Sequence, residues 1–94
     1  MKAAFEGVSR RPREMLRNTE RHAVAVRKLL RQLEQGQGRA VRGIMDDAAQ
    51  HALTIEQLAR WGQTCPADEA VEVGFLVEVL VSRLEVEIDQ IIAF

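Results

Sequence analysis

Apolar residues recur every three or four positions along two stretches of the chain, which is the spacing of one face of an α-helix. In the first stretch the inward positions are Leu16, Thr19, Ala23, Val26, Leu30 and Leu33. In the second stretch they are Val41, Met45, Ala48, Ala52, Ile55 and Ala59. The pattern predicts helices over residues 13–35 and 39–62. Gly36 and Gly38 between them are expected to end the first helix by supplying left-handed backbone.

The C-terminal third of the chain carries two competing patterns. Helical spacing places on one face Ala70, Gly74, Val77, Val81, Leu84, Ile88 and Ile91. Valines also alternate with other residues between positions 71 and 81, which is typical of a strand, and a hairpin bent at Ser82 is the alternative. Pro66 followed by two acidic residues is a good helix start, and Ser-Arg lacks the glycine or asparagine that tight hairpin turns favour. We therefore predict one helix over residues 66–92, longer than the first two.

The first dozen residues, which include Gly7, Ser9 and Pro12, show little periodicity, and proline is tolerated only in the first turn of a helix. We expect a flexible N-terminal arm over residues 1–12 and a single helical domain over residues 13–94, since 94 residues is the size of one domain. The predicted fold class is all-α. It consists of an antiparallel helical hairpin plus the longer C-terminal helix, associating as a dimeric bundle.

The predicted third helix is apolar on a second side. At about 100° per residue, a stripe points nearly away from the first apolar face, and its residues are Val71, Phe75, Val79 and Val86. A two-helix hairpin cannot cover both sides of a third helix, and leaving these side chains in water forgoes roughly several kcal/mol. The stripe is therefore the predicted interface with a second copy of the chain or with a partner helix. The alternative is that the chain's own arm covers it through Phe5 and Val8.

The net charge of −1 conceals two halves of opposite sign. Residues 1–45 contain 11 Lys or Arg and 4 Asp or Glu, whereas residues 46–94 contain 2 and 10, which gives charges of +7 and −8. Five cations of the first helix lie opposite its apolar face: Arg13, Arg17, Arg21, Lys28 and Arg31. This basic stripe is a candidate contact for nucleic acid, although the helix has no aromatic residue to stack on bases. The alternatives are a solvated face, an acidic protein partner, or pairing with the acidic third helix of a dimer mate.

The chain shows no arrangement of residues typical of an enzyme: no nucleophile with a base at a known spacing, no glycine-rich phosphate loop and no carboxylate pair in an apolar surround. We expect no catalysis, no cofactor and no small-molecule substrate. His22 and His51 occupy equivalent positions on the first two helices. A Glu-x-x-His metal motif needs an acid three residues earlier, where the chain has Thr19 and Ala48, so we predict no metal site.

The single cysteine, Cys65, excludes an intrachain disulfide and fits a reducing compartment. A thiol at a helix start can be reactive, but no histidine or serine can be placed beside it, so a structural or incidental role is favoured. Trp61 lies off the apolar face of its helix and either caps the end of the bundle or anchors a contact. No signal peptide and no run of about 18 uncharged apolar residues is present, so we expect a cytoplasmic protein without a membrane segment.

These patterns favour a small, non-enzymatic helical interaction module of the adaptor, chaperone or inhibitor type. With 47% hydrophobic and 29% charged residues, the composition is that of a folded chain. The expected mechanism is dimerisation, or binding of a partner helix, through the C-terminal helix. The alternative is a dimeric nucleic-acid-associated regulator that uses the basic face of the first helix.

Overall fold

The computed structural model describes the backbone of residues 2–93 and the side chains of residues 13–93. It contains three helices: α1 (Lys2–Glu34), α2 (Arg39–Gly62) and α3 (Ala67–Ala93). No strand occurs between residues 2 and 93. The prediction of an all-α chain with three helices is confirmed. The alternative hairpin in the C-terminal third is wrong, because α3 is one continuous helix.

The start of α1 differs from its predicted start. The helix begins at Lys2 rather than near residue 13, so Pro12 lies inside it and not in its first turn. Six of the ten residues from 2 to 11 are alanine, lysine, glutamate or arginine, which are good helix formers, and they surround Gly7. As a result α1 has 33 residues and α3 has 27, and the prediction that the C-terminal helix is the longest is wrong. A flexible arm over residues 1–12 stays a prediction, and the side chains of Phe5 and Val8 lie outside the described residues.

The turn between α1 and α2 does not use the left-handed backbone that glycine permits. No glycine between residues 2 and 93 has a positive φ. The amide N–H of Gly36 donates to the carbonyl of Leu33 at 3.4 Å, and that of Gln37 donates to Glu34 at 3.1 Å. Gly38 then has an extended backbone, with φ −70° and ψ 167°, immediately before α2. The two glycines therefore interrupt the helix through their low helix propensity, not through a left-handed turn.

Helix α2 is the middle helix of the three. It packs extensively against both α1 and α3, whereas α1 and α3 contact each other least. Its buried face is rich in small residues, and Ala48, Ala52 and Ala59 are completely buried. Small side chains let neighbouring helices approach closely, because the distance between packed helices depends on the residues at the contact. Since α2 is antiparallel to each neighbour, α1 and α3 run in the same direction.

The three helices meet at the C-terminal end of α2, where Gly62 is buried. A Cβ atom at this position would lie 2.7 Å from Cδ1 of Leu16 and 2.8 Å from Cγ1 of Val73. Such distances are shorter than van der Waals contact. Glycine at this position therefore lets α1 and α3 pack against the end of α2 without displacing either side chain.

A network of charged side chains joins α1 to α2. Glu56 is buried, with 6% of its surface exposed, and its two carboxylate oxygens accept hydrogen bonds from Arg27 Nε at 3.1 Å and Arg60 Nη2 at 3.0 Å. Glu20 accepts hydrogen bonds from Arg60 Nε and Gln63 Nε2, each at 2.8 Å. A buried carboxylate is stable only when its oxygens accept hydrogen bonds, and both oxygens of Glu56 and of Glu20 do so.

The chain is long and flat. Its principal extents are 52 × 22 × 15 Å and its radius of gyration is 15.3 Å. A compact domain of this length would have a radius of gyration of about 12 Å. The long extent corresponds to the length of α1, whose 33 residues span roughly 50 Å.

Candidate functional site

The predicted interface stripe on α3 lies on the side of that helix away from α2. Phe75 is 65% exposed, and Val79 and Val86 are each 57% exposed, whereas Val71 is half-buried. Leu76 beside the stripe is also exposed. Three of the four predicted residues are thus uncovered by any described side chain, and their role as an interface stays a prediction.

A groove that sequence reasoning did not predict lies between α1 and α3. One part of it has a volume of about 430 Å³. The buried side chains of Leu16 and Val77 form its floor, and Met15 from α1 faces Val71 and Phe75 from α3 across it. The groove exists because α1 and α3 both pack on α2 but make few contacts with each other.

The groove continues along the helices into a second cavity of about 230 Å³. Thr19 and Val81 line both cavities, so the two are parts of one depression. The second part is lined by Val26 and His22 from α1 and by Ile88 from α3. The α1–α3 groove is therefore apolar along most of its length.

The groove has two carboxylates, both on its α3 side. Glu78 lines the first cavity and Glu85 the second, and both side chains are exposed on the α3 edge. Among the described residues no lysine or arginine lines either cavity. The groove thus has an apolar floor and an acidic edge.

Gly74 leaves a notch in the α3 wall of the groove. No heavy atom lies within 4 Å of the position that its Cβ would occupy. The residue lines the first cavity together with Met15 and Thr19 of α1. A side chain from outside the chain can therefore enter the groove at this point.

The predicted basic stripe of α1 is divided by the structure. Arg13 donates through Nη2 to the carbonyl oxygen of Cys65 at 3.1 Å. Arg31 forms ion pairs with Glu34, at 3.3 Å, and with Asp46. The remaining three cations are exposed and have no ion pair with a described side chain: Arg17, Arg21 and Lys28. Two of the five cations are thus bonded within the described part of the chain, and three are not.

The two histidines of the chain have different surroundings. His51 Nδ1 lies 2.6 Å from Oε1 of Glu87 on α3, whereas His22 lines the α1–α3 groove. Among the residues that the structure describes, no three His, Cys, Asp or Glu side chains form a group that could hold a metal ion.

Cys65 is buried between α2 and α3, and its thiol donates to the carbonyl oxygen of Trp61 at 3.4 Å. Burial, assisted by the nearby carboxylate of Glu69, raises the pKa of this thiol above its ordinary value of 9.0. The thiolate is the nucleophilic form, so this side chain is poorly suited to covalent chemistry at neutral pH. Trp61 itself is exposed at the end of α2.

Comparison with known protein families, with curated proteins and with solved structures finds no match to this chain. Within residues 2–93 no helix is both long enough and apolar enough to cross a membrane.

Proposed function

We propose that the chain is a small non-enzymatic interaction module that binds another helix through α3, either from a second copy of itself or from a partner protein. The observation that carries this proposal is the exposure of Phe75, Val79 and Val86 on one side of one helix. Fully burying an apolar side chain of this size contributes roughly 1.5–3 kcal/mol. Clustered apolar surface of this kind is typical of interaction sites.

Self-association through this side of α3 is also supported by two charges. Glu72 and Arg83 are exposed and are separated by eleven residues, which places them about 20° apart around the helix, on the same flank of the stripe. In an antiparallel pair of α3 helices, Phe75 faces Val79 of the second copy. The same register places Arg83 beside Glu72 of the second copy, twice by symmetry.

Substitution of Val79 and Val86 by glutamate tests the dimer, since neither residue lines the α1–α3 groove. We expect the native chain to have about twice its 10.6 kDa mass by size exclusion with light scattering, and the double variant to have the mass of a monomer. Two buried carboxylates without partners would each cost several kcal/mol in the seam. Leu29→Glu with Leu33→Glu, which alters two exposed leucines on α1, is the matched control and should remain dimeric.

The charged pair gives a second test of the same seam. Arg83→Glu should weaken the dimer because it places like charges together, and adding Glu72→Arg should restore it. A native chain that remains monomeric at high concentration, or a reversed pair that fails to restore the mass, contradicts self-association through this face.

A role as adaptor, chaperone or inhibitor follows from helix binding and involves no catalytic step. The in-chain ion pairs join α1 to α2, as in Arg27–Glu56 and Arg31–Asp46. The carboxylates of α3 are mostly outside such pairs, with Glu87 near His51 as an exception. The acidic α3 therefore provides the charge that orients an incoming helix.

The second candidate function is a dimeric nucleic-acid-associated regulator that uses α1. The exposure of Arg17, Arg21 and Lys28 favours it. If it is correct, the chain should bind heparin and shift a DNA fragment at low salt, and this binding should fall steeply at higher salt because counterions are released. Changing these three residues to glutamate should abolish the shift. If this variant binds heparin as strongly as the native chain, the proposed contact through α1 is wrong.

A further inference from the structure

The α1–α3 groove has the shape and charge of a receptor for a helix from another protein. We propose that it binds an amphipathic helix that is apolar on one face and carries lysine or arginine along one flank. This inference deepens the proposed helix-binding function, on which it rests, by naming the site and the chemistry of the partner. The groove shares Phe75 with the outer stripe but is not lined by Val79 or Val86.

The dimensions of the groove fit a helix. Its α3 wall extends from Val71 to Ile88, which at 1.5 Å per residue corresponds to roughly 26 Å, or about five helical turns. Its two walls are helices that run in the same direction and rest on α2. A helix laid between them completes a four-helix bundle, in which each helix packs against two neighbours.

The apolar part of the groove supplies the binding energy. Leu16 and Val77 on the floor are already buried, so the new area comes from the exposed edges, where Met15 and Phe75 stand on opposite sides. Aromatic and methionine side chains are the residues that most often anchor helices in grooves. An incoming helix covers both with one apolar face.

The notch at Gly74 gives the groove a position of specificity. Because no atom lies within 4 Å of the site of its Cβ, the wall accepts a bulky side chain of the partner here. The neighbouring α1 wall contributes Thr19 and Met15 to the same cavity. A leucine or phenylalanine of the partner, inserted as a knob into this hole, fixes the register of the two proteins.

The acidic edge determines the charge of the partner. Glu78 and Glu85 are seven residues apart, which is two helical turns or about 10.5 Å along the same edge. Two cations on one flank of the partner helix, at positions i and i+7, each face one of these carboxylates. Because no cation of this chain lines the groove within the described residues, the partner must supply it.

A second copy of the chain does not meet these requirements. Its α3 carries seven acidic residues and one arginine, so it would bring like charge to Glu78 and Glu85. The exposed cations of its α1, such as Arg21 and Lys28, lie opposite the apolar face of that helix. The main apolar face of its α1, which includes Leu16, is already covered by α2, so the groove is assigned to a different protein.

The test uses the full chain and a fluorescent 18-residue amphipathic peptide with leucines on one face and two lysines seven positions apart on one flank. Fluorescence anisotropy should show binding of this peptide and binding about tenfold weaker for a version with glutamate at the two flank positions. Changing both Glu78 and Glu85 to lysine should invert this preference. Asp47→Lys, at an exposed residue of α2 that lines neither cavity, should leave it unchanged.

Gly74→Leu tests the groove itself. The added side chain meets open space within the chain, and leucine is a better helix former than glycine, so the helix content and melting temperature should not fall. Filling the notch should weaken peptide binding about tenfold. The variant with both Val79 and Val86 changed to glutamate should still bind the peptide, which separates this site from the dimer seam.

Three results would overturn the proposal. The first is peptide binding that Gly74→Leu leaves unchanged, and the second is a charge preference that survives reversal of Glu78 and Glu85. The third is a fall in molar mass of the Gly74→Leu chain without peptide, because the groove would then hold a second copy. Failure of these tests with an intact Val79–Val86 dimer would reject the groove and leave the proposed function standing.

Discussion

Two glycines of α2 differ in the space around the position that a Cβ atom would occupy. Gly62 is enclosed, since a Cβ there would collide with Leu16 and Val73, whereas no atom approaches the Cβ position of Gly43. Helix propensity favours alanine over glycine at both positions. Only the surroundings distinguish them, and the difference can be measured.

We predict that Gly62→Ala destabilises the chain by about 1–3 kcal/mol through overpacking, although alanine is the better helix former. Gly43→Ala should stabilise it by roughly 0.5–1 kcal/mol. Urea unfolding followed by circular dichroism measures both. Equal stabilisation by the two substitutions would mean that the three helices do not close at Gly62.

The sequence predicted which residues are buried where apolar residues occupy the helical spacing. It missed burial where a charged residue occupies a position of that spacing. Ala52, Ile55 and Ala59 are buried as the pattern predicts. Glu56 lies seven residues after the buried Ala49 and shares its face, so its position alone indicated burial. Its charge argued against burial, and only the two arginines that bond it, Arg27 and Arg60, resolve the conflict.

At the level of the helices, the contact between α1 and α2 depends on charge. The hydrogen bond from Arg60, followed by that from Gln63, lowers the pKa of Glu20 below its ordinary value of 4.5. A carboxyl group whose pKa is lower in the folded state stabilises that state above its unfolded pKa. This stabilisation is lost as the pH falls through the folded pKa.

We therefore predict that acidification below about pH 4.5 weakens the α1–α2 pair and that Glu20→Gln removes this part of the pH dependence. The expected loss at neutral pH is about 1 kcal/mol or less, because Arg60 is largely exposed and solvent screens the pair. Thermal melts between pH 3 and 7 measure it. Glu14→Gln, an exposed carboxylate on the same helix, is the control, and an identical pH profile for both variants would contradict the role of Glu20.

The bounds of α2 and α3 could be predicted because their ends carry strong signals. Glycines flank α2, and Pro66 with Asp68 and Glu69 precedes or opens α3. The start of α1 could not, because Gly7 and Pro12 are also signals of irregular structure. Local propensity alone does not decide between these interpretations, since good helix formers surround both residues.

For the whole molecule, the sequence predicted a two-sided α3 but not the groove. The outer stripe follows from the periodicity of one helix and includes Phe75 and Val79, which are exposed as the prediction requires. The groove depends on the distance between α1 and α3, and no sequence pattern within either helix encodes that distance. Gly74 was assigned to the apolar face of α3, where its missing side chain now forms part of the groove wall.

The small side chains of α2 have a consequence for recognition. Ala48, Ala52 and Ala59 are completely buried where α2 packs against its neighbours. A methylene added at any of them would displace α1 or α3 where it packs on α2, and this would alter the width of the α1–α3 groove. The width of the groove, and hence the size of the side chains that a bound helix can carry, is therefore set by residues that the bound helix never contacts.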